Sequence, residues 1–255
     1  LTGRLRGPHE GQSGLIYVAT RDGCEDLAVS LRRDGFSVAA YHAGLSSSER
    51  LEVQQAWQHG RTRVVCATVA FGMGIDKSDC RFVFHWSVPT SFEAFLQEAG
   101  RAARDGKPAS SVIYYDESSA GLRRFLLRKT TPAAVLDHRL RGFERVVGCC
   151  VAGKGCRRRM LLDHFGDKPS PRPVDTSIPC CDVCQRPADV AAAAGRLELY
   201  ALAAASRSKA EVEEDEGAAA RGGRKRSRDD PHDTGLVDGD ASDDEPGDDG
   251  IARPA

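Results

Sequence analysis

Between residues 14 and 130 short apolar runs alternate with segments of helical period. LIYVAT (15–20), SVAAYH (37–42), RVVCAT (63–68), RFVFHW (81–86) and SVIYY (111–115) are nearly continuous apolar runs, the pattern of strands buried on both faces. CEDLAVSLRRDG (24–35) reads as an amphipathic helix closed by Gly35. Ser46 with Glu49 three residues on forms a capping box, and it opens a helix carrying Leu51, Val53 and Trp57. A further helix follows RFVFHW. Strands that alternate with helices imply an α/β fold, a parallel sheet with helices on both faces. Ligands on such sheets bind beyond the carboxyl ends of the strands. Thr20–Arg21, His42–Gly44, Thr68–Asp76 and the helix after RFVFHW emerge there, so four polar segments are expected to share one edge. Beyond Thr131 the pattern becomes helical over 133–167. A Pro-rich link (169–179), the cluster CCDVC and an Ala-rich helix (188–205) follow.

Composition adds three things. The 255 residues suffice for one large or two small domains. The formal charge of −1 excludes no partner, but the charges are unevenly placed. A basic run, RGGRKRSR (221–228), precedes an acidic run from Asp229 to Asp249, with few large apolar residues between, so 206–255 reads as a disordered tail. The basic run fits a nuclear-import signal, a loose nucleic-acid contact or a solvated patch, and the tail could engage protein partners. Nine cysteines without a signal peptide or a long apolar run point to a reducing intracellular compartment with no membrane association. The chain begins at Leu1 and enters its pattern almost at once, so residues 1–13 read as a linker and the chain as a fragment.

The segment QEAGRAARDG, Gln97 to Gly106, carries the sharpest chemistry. Continued as a helix, it places Gln97, Arg101 and Arg104 within roughly 60° of one another, with Phe92, Phe95 and Leu96 pointing away. Two guanidinium forks one turn apart suit a polyphosphate. A solvated, salt-bridged helix face has the same pattern.

Taken together, LIYVATR (15–21), YHAGLSSSER (41–50), ATVAFGMGIDKSDCRFVFHW (67–86) and QEAGRAARDGKP (97–108) resemble the second RecA-like domain of the RecQ family of ATP-dependent DNA helicases. They stand in family order and near family spacing, and the resemblance covers about residues 14–187. It implies a helicase domain over 14–131, a helical zinc-binding subdomain over 132–187 and a helical extension over 188–205. By resemblance, Arg101 is an arginine finger for the γ-phosphate of ATP with Mg²⁺, Arg104 is a second arginine of that motif, and Gln97 couples nucleotide to DNA. Gly72, Gly74 and Asp76 would lie near the nucleotide, although Asp76 also reads as a cap or turn residue. Thr20, Arg21 and Thr68, with His42 and the amides around Gly44, would hold the DNA sugar–phosphate backbone without regard to sequence. The family reads GRAGR where this chain has Gly100-Arg101-Ala102-Ala103-Arg104. Alanine at 103 is costly if the site needs positive φ and harmless in ordinary helix, and the intact arginine spacing favours helix.

Cys180, Cys181 and Cys184 lie within five residues, with Cys156 upstream. Four thiolates satisfy tetrahedral Zn²⁺ and leave no open position, which implies a structural role. In the family the second cysteine stands further from the third, so Cys180 is the least secure ligand; buried free thiols are the alternative. Cys149 and Cys150 match nothing in the family pattern and read as helix packing. Gly148 to Gly155 nearly matches a phosphate loop but lacks its hydroxyl and a preceding strand, and reads as a loop between two helices. The first RecA-like domain, which carries that loop in the family, is expected to act in cis from outside this sequence.

The expected function is therefore the C-terminal portion of a nuclear 3′→5′ helicase of DNA repair, recombination or replication. It would act on single strands and duplex junctions and be inactive as a fragment. The other class left open is a non-catalytic nucleic-acid-binding or regulatory paralogue. A phosphate loop encoded upstream of Leu1 would decide for the helicase, and a start codon near residue 1 for the paralogue.

Overall fold

The computed structural model describes residues 1–71, 77–167 and 180–197. Its centre is a parallel sheet of β1 (Ser13–Tyr17), β2 (Val38–Tyr41), β3 (Val64–Ala67), β4 (Cys80–His85) and β5 (Ser110–Ile113) in the order β2-β3-β1-β4-β5. Every residue of β1 and β3 is buried, as the continuous apolar runs require. The alternate side chains of the strands feed two cores. Ile16, Val18, Cys66, Phe82 and Phe84 join α2 (Arg21–Arg33) on one face. Leu15, Tyr17, Val65, Ala67 and Val83 join Trp57 of α3 (Ser47–Gln58) and Phe71 on the other. Gly14 lets the Phe82 ring lie against the β1 backbone, in space that any Cβ would occupy.

Local chemistry sets the helix ends. The Thr20 hydroxyl accepts from the Gly23 N–H and caps α2, while Gly35 at φ +88° turns the chain away after it. Ser46 and Glu49 form the expected capping box on α3. Of that helix's apolar residues Trp57 is buried and Leu51 is exposed. Residues 1–13, expected as a linker, form α1 (Thr2–Arg6) and a turn. Leu5 is buried in the first core, and the His9 ring lies 5.0 Å from Phe82.

After α4 (Phe92–Ala99) and β5, the chain forms α5 (Glu117–Thr130), α6 (Ala133–Val151), α7 (Arg157–His164) and α8 (Asp182–Gln185), then a helix described over 187–197. Phe143, Val146 and Val147 of α6 build a third core with Val88, Phe92, Ala120 and Leu127. Arg124 of α5 grips Glu144 of α6 through two hydrogen bonds of 2.7 and 3.0 Å. No helix among the described residues is long and apolar enough to cross a membrane. The tail over 206–255 lies outside the described residues.

The register matters most for function. Tyr41, Ala67, Tyr17, His85 and Ile113 are successive partners across the sheet, so the five strands end in one row. At about 4.8 Å per strand that row is roughly 19 Å long.

Candidate functional site

Three of the four polar segments expected at the carboxyl edge leave from this row. Thr20 and Arg21 follow β1, His42 to Gly44 follow β2, and Thr68 follows β3. Arg21 is exposed at the first turn of α2, where unpaired amides favour an anion. A Cβ on Gly44 would meet His42 Nδ1 at 3.0 Å and Arg21 Cδ at 3.4 Å, so the three residues form one tight cluster. His42 is buried and both its ring nitrogens are engaged. The Gly44 N–H donates to Nδ1 at 3.2 Å, which leaves the proton on Nε2 to donate to Glu25 at 2.9 Å. Its part at this edge is to shape the Gly44 turn. Thr68 is half-buried, and its N–H donates to Tyr41 O at 3.2 Å. Gly72, Gly74 and Asp76 lie outside the described residues.

The fourth segment departs from expectation. α4 ends at Ala99, and neither Arg101 nor Arg104 is helical, so the helical-face argument does not apply to them. The chain runs back over the sheet face that carries Leu15, Tyr17 and Val83. Ala102 packs there, and the Ala103 N–H donates to Cys80 O at 3.1 Å, at the opposite end of β4. Arg81 secures the loop through Asp105 at 2.7 Å and Pro108 O at 3.3 Å. Ala103 stands at φ +60°, the only non-glycine residue with positive φ among the described residues. That left-handed conformation rules out ordinary helix at 103 and strains the alanine. Leu96, expected on the core side, is exposed, as are Gln97 and Arg104.

Arg101 is tied to the edge by residues not anticipated from sequence. The buried Tyr17 hydroxyl donates to Phe71 O at 3.0 Å and shares a hydrogen bond with Arg101. Burial pushes the phenol above its ordinary range, and the Arg101 charge opposes that shift. The Tyr17 ring stacks on His85 with centroids 5.6 Å apart. His85 Nε2 lies 2.9 Å from a carboxylate oxygen of Glu98, off the axis of a good hydrogen bond, and Glu98 is itself buried. The signal for His85 lies in RFVFHW. Phe82 and Phe84 face one core, which puts His85 on the buried parity with Val83 and obliges it to find a polar partner.

The four predicted metal ligands come together. The sulfurs of Cys156, Cys180, Cys181 and Cys184 all lie within 4.8 Å of one another, with Cys156 and Cys180 3.4 Å apart. Sulfurs around Zn²⁺ at about 2.3 Å stand roughly 3.8 Å apart, so this donor set fits. Two family models match the chain. That of the helicase conserved C-terminal domain covers residues 4–106, and that of the RecQ zinc-binding domain covers 118–185.

The chain belongs to the RecQ helicase family.

It is 40% identical over 184 residues to the RecQ-like DNA helicase blm-1 of Caenorhabditis elegans, covering 72% of this chain and 19% of that protein. It is 42% identical over 183 residues to the ATP-dependent DNA helicase RecQ of Haemophilus influenzae, covering 70% of this chain and 28% of that protein. The chain thus spans about a fifth to a quarter of these curated relatives. Among solved structures, the E. coli DEAD-box protein SrmB matches with a TM-score of 0.41 and 28% identity, over 44% of this chain and 65% of that one. The sheet is parallel with helices against it, the α/β architecture expected from the sequence.

The RecQ zinc-binding match begins at 118, so it takes in α5. Within it Arg157, next to Cys156, grips Asp182, next to Cys181, through hydrogen bonds of 2.6 and 3.1 Å, and its remaining nitrogen donates to Cys149 O. This bidentate pair fastens the two halves of the cysteine cluster. Cys149 and Cys150 sit on α6 against the third core, and burial pushes the Cys150 thiol up to about 12. The near-match to a phosphate loop spans the end of α6 and the turn into α7, as expected. Its Gly153 packs on Ala194, where a Cβ would stand 3.0 Å away.

The positive φ at Ala103 has a measurable consequence. Ala103→Gly removes the strain and is expected to raise stability by about 1 kcal/mol, or roughly 2–4 °C in melting midpoint. A calorimetric midpoint equal to or below that of the parent chain would show that the loop carries no such strain.

Proposed function

We propose that this chain supplies the second motor domain and zinc subdomain of an ATP-dependent 3′→5′ DNA helicase. The observation that supports this reading is the hydrogen bond of Arg101 to Tyr17, the β1 residue of the strand-end row. The relatives' names, DNA helicases from an animal and a bacterium, support DNA as the track.

In this reading Thr20, Arg21, Thr68 and the Gly44 turn hold the sugar–phosphate backbone of a single strand at the carboxyl edge. Arg101 and Arg104 face a phosphate held by another domain of the helicase, where their guanidinium groups stabilise charge on the oxygens being transferred. ATP with Mg²⁺ supplies that phosphoryl group when bound. Gln97, exposed on the last turn of α4, couples nucleotide to DNA in this reading. Cys156, Cys180, Cys181 and Cys184 hold a structural Zn²⁺, which keeps α7 and α8 together. The 3′→5′ polarity and a role in DNA repair follow the RecQ resemblance, and a nuclear site of action rests on RGGRKRSR (221–228).

Two measurements test this reading. The purified chain is expected to bind oligothymidine yet release no phosphate from ATP, because the arginines act on a nucleotide held elsewhere; DNA-stimulated turnover by the chain alone contradicts it. The chain is expected to hold about one Zn²⁺. Metal analysis should show loss of that zinc in Cys180→Ser and no loss in Cys150→Ser, and unchanged zinc in Cys180→Ser would remove Cys180 from the ligand set.

A further inference from the structure

None of the residues of α7 is buried. Leu161 packs partly on the third core, but an open cleft of about 560 Å³, lined by Phe92, Arg145, Met160, Asp163 and His164, lies between α7, α6 and the start of α4. The two ends of α7 therefore do most to fix it. At its start stands Cys156 of the cysteine cluster, and Arg157 beside it holds Asp182. At its end, His164 Nε2 donates to a carboxylate oxygen of Glu93 at 2.8 Å. The His164 ring lies 5.0 Å from that of Phe92 and 4.9 Å from that of Phe165. Glu93 stands in the first turn of α4, which Ser91 caps through the Ala94 N–H at 3.2 Å. Hydrogen bonds from Ser91 and His164 hold the Glu93 carboxyl at about 2, below its ordinary 4.5. With eight residues α4 is too short to be stable alone, so contacts of this kind decide its order. It leads directly into the arginine loop, where the Gly100 N–H donates to Leu96 O at 2.8 Å and the Arg101 N–H to Glu98 O at 3.3 Å.

We propose that α7 is a strut between the cysteine cluster and the motor helix α4, and that His164 is its positioning residue. Zinc fixes one end of α7. His164, at the other end and roughly 12 Å away along the helix, holds the first turn of α4 through Glu93 and Phe92. Loss of the metal frees α7, and α4 then loses the partner of its first turn. The proposal rests on the reading of the four cysteines as a zinc site. Its importance for catalysis rests in addition on the reading of Arg101 as a phosphate-facing group.

The test is NMR on the zinc-loaded chain, its chelated form and two variants, His164→Leu and His164→Gln. In His164→Leu the titration midpoint of the Glu93 carboxyl carbon is expected to rise from about 2 part of the way to 4.5. The amides of Phe95, bonded to Ser91 O, and Gly100 should exchange about tenfold faster or more. Zinc content and the exchange of the β1, β3 and Val147 amides should stay as in the parent chain. His164→Gln, which keeps a donor, should restore part of both effects. Chelation of the parent should speed Phe95 and Gly100 to a similar degree, and should add little in His164→Leu, because both changes break the same strut. Three results overturn the proposal with zinc bound. They are an unmoved Glu93 midpoint in His164→Leu, Phe95 exchange unchanged by chelation, and a rise matched by the sheet and Val147 amides. A purified chain that carries no metal would overturn the zinc reading and the proposal with it, so the two failures are told apart by metal content.

Discussion

The hydrogen-bond register of five parallel strands is the constraint on which the site depends. Because Tyr41, Ala67, Tyr17, His85 and Ile113 are direct partners, the strands stop together and their successors leave from one line. A one-residue slip of β1 would turn Tyr17 to the other face and break its bond to Phe71. The apolar content of the strands enforces the register, since both faces are buried and neither accepts the wrong parity. The strand-end row is thus a by-product of core packing, completed by a few capping and turn residues.

The second constraint is electrostatic. An imidazole at the end of β4, a carboxylate of α4, a phenol at the end of β1 and the Arg101 guanidinium share one neighbourhood. Such a cluster is stable only when complete, because each member left alone would be a buried polar group without compensation. This makes it a suitable joint between elements that must keep a fixed geometry. It meets the strand-end row through the Phe71 carbonyl and the arginine loop through Tyr17 and Glu98. At the far side, the Arg157–Asp182 pair plays a similar part for the cysteines.

Much of this is legible in the amino-acid sequence, for reasons that can be named. The strands read clearly because both their faces are apolar, and the α3 cap because Ser46 and Glu49 have a fixed spacing. The cysteine cluster reads clearly because thiols so close together, bounded by prolines, suit a metal better than a core. The arginine segment misleads because helical spacing counts positions and cannot see where a backbone N–H will be used. Gly100 ends the helix, the Ala103 N–H bonds Cys80 O and Ala103 turns left-handed, although alanine itself favours helix. The arginine spacing favoured ordinary helix at Ala103, and the positive φ there overturns that expectation. His42 resembles a ligand-facing residue until its two bonds, to Glu25 and Gly44, place it inside the edge. Arg123 gives no local signal at all, since its partner Ser87 lies 36 residues away in sequence.

Whether the strand-end row binds a phosphate backbone is tested most directly by the salt dependence of oligothymidine binding to this chain. The readout is fluorescence anisotropy, with and without Arg21→Ala. Arg21 is exposed and supports no core, so its loss leaves the fold in place. One lost phosphate contact should weaken binding and reduce the slope of log K against log salt by about 0.7. An Arg21→Ala chain that binds as tightly as its parent, with the same slope, would contradict a phosphate-binding row.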